Sequence, residues 1–183
     1  MEVEKKMSRA ANRNRKTGET DVSVALVIGP GESSFDTGVG FFDHMLELLA
    51  RHSGIALEVK TDGDLDTGSH HTVEDTGIVI GQALDEALGD RAGIRRYGSA
   101  LIPMDESLAE CAIDLSGRSA VVFRGEIPVG EIAGFETELT RDDHPVSSAD
   151  DGCIGTNGLS RCVHGEESTR TYTTTDNGKV NTG

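Results

Sequence analysis

Positive charge, cysteine and long apolar runs are all scarce in this sequence, and each scarcity excludes something. Of 183 residues, 17 are Lys or Arg against 32 Asp or Glu, a formal net charge of −15 at pH 7. A field of that sign repels phosphodiester backbones and anionic lipid, so neither a nucleic-acid nor a membrane partner is expected. The longest apolar stretches, such as residues 77–80 and 119–123, fall far short of the roughly 20 residues that cross a bilayer. No apolar core follows the basic residues Lys5, Lys6, Arg9, Arg13, Arg15 and Lys16, so no secretion signal is indicated and a cytoplasmic location is expected. Cys111, Cys153 and Cys162 are odd in number and lack C-x-x-C spacing, which suggests neither a disulfide framework nor a zinc ribbon.

The length suits one domain. Apolar content is uneven along it: Ile, Leu, Val, Met and Phe total 41 in residues 1–140 and 5 in the remaining 43. A segment so poor in apolar surface cannot offset its ordering entropy, and residues 141–183 are expected to be a disordered polar tail.

Before residue 140, strand and helix periodicities alternate. Val22, Val24, Leu26 and Ile28 recur every second residue, which reads as a strand with one buried face, and residues 33–36 are expected to be its short hairpin partner. Phe41, Phe42, Met45, Leu46, Leu48 and Leu49 follow a helical rhythm that stops at Gly54, a residue suited to a helix C-terminus. Ile55, Leu57 and Val59 alternate again as a strand. A second helix is expected to start at an N-cap on Ser69 and to run through Val73, Ile80, Leu84 and Leu88. Residues 107–115 and 119–123 read as two further strands. Glu19 and Glu106 each precede an alternating strand, a hint of internal duplication in which residues 135–139 are the only candidate for a helix of the second copy.

The sharpest chemical constellation is His70-His71-Thr72-Val73-Glu74-Asp75, at the start of the second helix. On a helix, Glu74 neighbours His70 at i,i+4 and His71 at i,i+3, while the two imidazoles point about 100° apart. The two histidines can therefore serve different metal ions. Imidazole with carboxylate and no thiolate suits Mn, Fe or Zn. The competing explanation is a polar helix N-terminus whose Glu74 and Asp75 complement the dipole, but two adjacent histidines favour metal. His44 has Asp43 and Glu47 nearby, either of which could fix its tautomer, and it becomes a ligand only if it comes close to the pair. His52 is explained by the helix C-terminal dipole, and Glu19 either by solvation or by general-base chemistry. Arg95, Arg96 and Arg118 are basic points suited to phosphate. His144 and His164 fall in the polar tail without ligand roles, and the alternation around Cys111 predicts a small core residue.

These residues resemble the imidazoleglycerol-phosphate dehydratase family of histidine biosynthesis. The resemblance is carried in order by residues 17–20 (Thr-Gly-Glu-Thr), 36–46, Gly63-Asp64, 70–75, 93–98, 103–106 and 114–118. It implies a lyase that removes water from D-erythro-1-(imidazol-4-yl)glycerol 3-phosphate to give 3-(imidazol-4-yl)-2-oxopropyl phosphate, with two manganese ions per site. The implied metal ligands are His44, His70, His71 and Glu74. Glu19 becomes a substrate contact, and either Glu19 or Glu74 the base; His52, Arg96 and Arg118 become substrate-binding, the arginines through phosphate. The implied fold is α/β: a duplicated unit, each copy a four-stranded sheet with two helices on one face, assembled into a 24-subunit shell.

The likeness covers residues 8–140, with a first repeat over about 8–90 and a partial second repeat over about 93–140. The family's later ligands, a strand histidine and a second H-H-x-x-E, have no counterpart after Leu139. A reading frame shifted near codon 140 would produce such a switch. Two readings follow: a manganese-dependent dehydratase, or a truncated, non-catalytic relative that binds metal or docks on intact subunits.

Overall fold

Alternation puts Val22, Val24 and Leu26 on one face of a strand over Thr20–Val27 (β2), each 1% exposed or less. In the computed structural model, the structure describes residues 9–116 and 129–141 together with the pairs 162–163, 173–174 and 180–181. The strands Ala10–Lys16 (β1), β2, Ser34–Asp36 (β3) and Ala56–Gly63 (β4) form a four-stranded sheet in the order β1-β2-β4-β3. β2 pairs antiparallel with β1 on one side and with β4 on the other. The expected hairpin of residues 33–36 with β2 is therefore not formed, because both edges of β2 are taken. β3 instead adds to the outer edge of β4 in parallel, which requires the crossover that the helix Gly40–Ser53 (α1) supplies.

Two helices cover one face of this sheet. α1 buries Phe42, Leu46 and Ala50 and ends at Gly54, whose left-handed backbone (φ 70°) lets its N–H donate to the Ala50 carbonyl. The helix His70–Leu88 (α2) buries Val73, Val79, Ile80, Ala83 and Ala87 against Ala11 of β1, β2, and Leu57 and Val59 of β4, all in one hydrophobic cluster. Each such Val or Leu contributes roughly 1.5–3 kcal/mol relative to exposure. Ser69 precedes α2 as expected, but it is itself in the helical region and its buried hydroxyl makes no capping hydrogen bond. β1, which no apolar alternation announced, is tied to the far end of α2 by Arg9, which donates to the Leu88 carbonyl at 2.8 Å and also to that of Ala92.

Beyond α2, Tyr97–Met104 (β5) and Ser107–Asp114 (β6) form an antiparallel hairpin, with Pro103 tolerated because β5 is an edge strand. β5 is exposed throughout, and Cys111 is only partly buried, so the expected core position is not realised: no helix covers this hairpin among the described residues. Glu106 lies in the β5–β6 turn as Glu19 lies in the β1–β2 turn, so both precede the second strand of a hairpin. Residues 135–139 do not start a long helix. They form a short pairing of Glu131–Ile132 (β7) with Phe135–Glu136 (β8), followed by a 3-10 turn at Thr137–Arg141, and Phe135 is buried with its ring 5.3 Å from Phe41 and 6.3 Å from Phe42. The strand expected at 119–123 lies outside the described residues, as does most of the segment 141–183. From that segment, Cys162–Val163 (β9) pairs with β6, and Thr173–Thr174 (β10) with Val180–Asn181 (β11).

Candidate metal and substrate site

The β2–β4 register sets Thr20 opposite Gly63, so the β1–β2 turn and the end of β4 lie side by side at one end of the sheet. The Asp64 N–H donates to the Glu19 carbonyl at 3.1 Å. The first turns of α2 press on the same place. A Cβ at Gly63 would come within 2.1 Å of Thr72 Oγ1, so only glycine allows this approach of helix to strand. Thr61 and Thr76 share a hydroxyl hydrogen bond of 2.7 Å beneath it. Three separate segments thus deliver Glu19, Asp64 and the His70-His71 pair to one rim.

At this rim the two imidazoles lie edge to face, with ring centroids 5.6 Å apart and planes at 69°. His70 Nε2 is 3.6 Å from Glu74 Oε2, too long for a hydrogen bond yet close enough for both to face one cation. His71 Nδ1 lies 3.0 and 3.1 Å from the two Asp64 oxygens. Asp64 is itself oriented by the Thr67 hydroxyl at 2.9 Å, which with His71 holds its carboxyl below the ordinary value. The hydrogen bond to Asp64 raises His71 above its ordinary value, with its burial opposing and the charges of Asp64, Glu19 and Asp75 adding to the rise. In the neutral ring, an Nδ1–H donated to Asp64 leaves the lone pair on Nε2, the arrangement that metal-ligating histidines use.

The other expected residues are distributed more widely. His44 is exposed on α1, its Nδ1 3.9 Å from Glu47 Oε2. Asp43, a candidate partner for that ring, instead accepts from the Thr37 N–H at 3.0 Å and the Thr37 hydroxyl at 2.7 Å, fixing the entry to α1. His52 is exposed in the last turn of α1. Arg96 is paired in two bonds with Asp114, at 2.6 and 3.0 Å, and its guanidinium carbon lies 4.9 Å from the centre of the Tyr97 ring. The Asp114 hydrogen bond raises the Arg96 pKa further. Arg118 lies outside the described residues, as do His144 and His164. Among the described residues, no three His, Cys, Asp or Glu side chains converge on one point, so His44 is not gathered with His70, His71 and Glu74.

The donor chemistry nevertheless fits a divalent cation, because a His–Glu pair at helical spacing and a carboxylate-backed histidine face the same rim with no thiolate between them. Two contributors were not singled out as site residues from sequence. Asp64 was visible only as part of a Gly-Asp loop. Asp75 reads as a dipole-complementing carboxylate, yet it is 7% exposed and accepts from Arg15, Thr17 and Thr20.

Comparison with known proteins places the chain in a family. The family model for imidazoleglycerol-phosphate dehydratase matches residues 37–146. The imidazoleglycerol-phosphate dehydratase of Streptococcus sanguinis (strain SK36) is 55% identical over 135 residues, covering 73% of this chain and 70% of the relative. That of Nitrobacter hamburgensis is 56% identical over 135 residues, covering 73% and 68%. The crystal structure of the Staphylococcus aureus N315 dehydratase superposes with a TM-score of 0.65 at 32% identity, covering 84% of this chain and 80% of that one. No described helix is long and apolar enough to cross a membrane. With its mixed α/β fold, its sheet carrying two helices, and its likeness to these relatives, the chain belongs to the imidazoleglycerol-phosphate dehydratase family of hydro-lyases in histidine biosynthesis.

Proposed function

We propose that this chain acts in the cytoplasm as a metal-dependent dehydratase, converting D-erythro-1-(imidazol-4-yl)glycerol 3-phosphate to 3-(imidazol-4-yl)-2-oxopropyl phosphate. The observation that carries the reading is His71, held through Nδ1 by Asp64 beside the His70–Glu74 pair. His70, His71 and Glu74 would hold manganese, with His44 joining from α1. Manganese held there would supply Lewis acidity toward the substrate's imidazole ring and make its N–H more acidic. With the ring N–H proton given up, the ring electrons expel the hydroxyl on the adjoining carbon, which takes up that proton and leaves as water. Glu19 or Glu74 takes the proton from the next carbon, and the resulting enol becomes the ketone. Arg96, Arg118 and His52 would bind the substrate, the two guanidiniums through its phosphate and against the chain's overall negative field.

In this reading the working form is a homo-oligomer, a 24-subunit shell in the family, with sites shared between subunits. The exposed apolar residues of the β5–β6 hairpin, Leu101, Ile102, Met104 and Ile113, support burial against other chains. The same exposure, with no second H-H-x-x-E after Leu139, favours an alternative: a non-catalytic relative that binds metal or docks on intact subunits. The test is product formation by the full chain with manganese and after chelation. Turnover that chelation abolishes supports the dehydratase. Saturable manganese binding without turnover supports the alternative.

A further inference from the structure

Asp75 is the most buried carboxylate near the rim, and the proposed chemistry does not use it. Its side chain is 10% exposed and is bonded to the Arg15 guanidinium of β1 and the Thr20 hydroxyl of β2, with the Thr17 hydroxyl at 3.4 Å. The Thr17 hydroxyl oxygen in turn accepts the N–H of Glu19 at 3.2 Å and that of Thr20 at 3.0 Å, and the Thr17 N–H closes the turn on the Thr20 carbonyl at 2.8 Å. The turn carrying Glu19 is therefore fixed from two sides, by Asp75 through two threonine hydroxyls and by the Asp64 N–H on the Glu19 carbonyl. Asp75 lies one residue after Glu74 and four after His71, on the helix that presents the three proposed ligands His70, His71 and Glu74.

We propose that Asp75 is a positioning residue: its carboxylate, through Thr17 and Thr20, fixes the Glu19 turn against α2 and so sets where the Glu19 carboxylate stands relative to His71. This deepens the dehydratase reading and rests on it only for the kinetic consequence. A buried carboxylate with a guanidinium and two hydroxyls is a satisfied network, whose geometry is held more tightly than that of a surface turn. Glu19 itself is exposed, and its carboxylate makes no hydrogen bond among the described residues. Thr17 and Thr20 are the relay, since each donates to Asp75 and their hydroxyl oxygens lie 3.1 Å apart.

The test uses the full chain and the variants Asp75→Asn, Glu19→Gln and the double variant, with Thr17→Val as a second, milder probe of the same relay. Amide hydrogen exchange at Glu19 and Thr20 should quicken at least tenfold in Asp75→Asn and in Thr17→Val, while exchange within β4 and the second half of α2 is unchanged. With manganese and substrate, Asp75→Asn should lower kcat about 10- to 100-fold with KM within threefold, and the double variant should be no slower than Glu19→Gln alone. Unchanged exchange at Glu19 overturns the proposal. So do losses that multiply in the double variant, or exchange that quickens throughout the molecule in both probes. If the unsubstituted chain does not turn over while the local exchange effect is present, the dehydratase reading fails and the positioning role stands.

Discussion

The four-stranded sheet with α1 and α2 and the β5–β6 hairpin both carry large apolar strand residues, yet these end in opposite environments. Val22, Val24, Leu26 and Leu57 are almost wholly buried, whereas Leu101, Ile102 and Met104 are 60%, 58% and 71% exposed. The difference is coverage. α2 packs along β1, β2 and β4, while no described helix lies on β5 and β6. Apolar strand residues thus mark a surface that can be buried, and a neighbouring element decides whether it is. The same contrast explains where the candidate site residues gather: the covered unit holds its strand ends firmly enough to set Glu19, Asp64 and the histidine pair against one another.

The strongest way to break this contrast is to truncate matched residues in each region. Leu26→Ala, in the covered sheet, should lower unfolding free energy by about 3–5 kcal/mol, and Leu101→Ala by less than about 0.5 kcal/mol, both read from urea unfolding of the full chain at dilutions that keep it monomeric. Similar losses at the two sites would mean that the hairpin is covered in solution. Next in size is Gly63→Ala. Its Cβ would meet Thr72 Oγ1 at 2.1 Å, and the cost should be about 1–3 kcal/mol, partly recovered when Thr72→Ala is added. An uncorrected loss would show that the close approach at Gly63 is not what that substitution disturbs.

Smaller in stability but sharper in function is Asp64→Asn. With the carboxylate removed from His71 Nδ1, manganese affinity should fall about 10- to 100-fold, measured by titration calorimetry, with the fold retained by circular dichroism. An unchanged affinity would mean that His71 does not depend on Asp64 for its ligand form.

Sequence periodicity revealed β2, α1, β4 and α2 because each carries apolar residues at the spacing of its own buried face. It missed β1, where Ala11 is the only buried apolar residue and, apart from the exposed Ala10, the rest of Ala-Ala-Asn-Arg-Asn-Arg-Lys is polar. β5 was missed because Gly98 and Pro103 interrupt it and no face is buried. The placement of β3 was misread, since pairing beside β4 depends on which sheet edges remain open, a property of the whole sheet. The His70-His71-Glu74 constellation was legible from helical spacing alone. Asp64 and Asp75 were not, because their roles come from contacts across the fold: Asp64 with a histidine seven residues on, Asp75 with the hairpin some sixty residues earlier.

The histidine pair at the end of the covered sheet is proposed to hold a divalent metal. Its most direct test is calorimetric titration of manganese into the full chain and into a His70→Ala, His71→Ala double variant. Saturable binding that the double variant abolishes, with its circular dichroism spectrum unchanged, is the predicted result. Binding by the double variant as tight as that of the original chain would contradict the account.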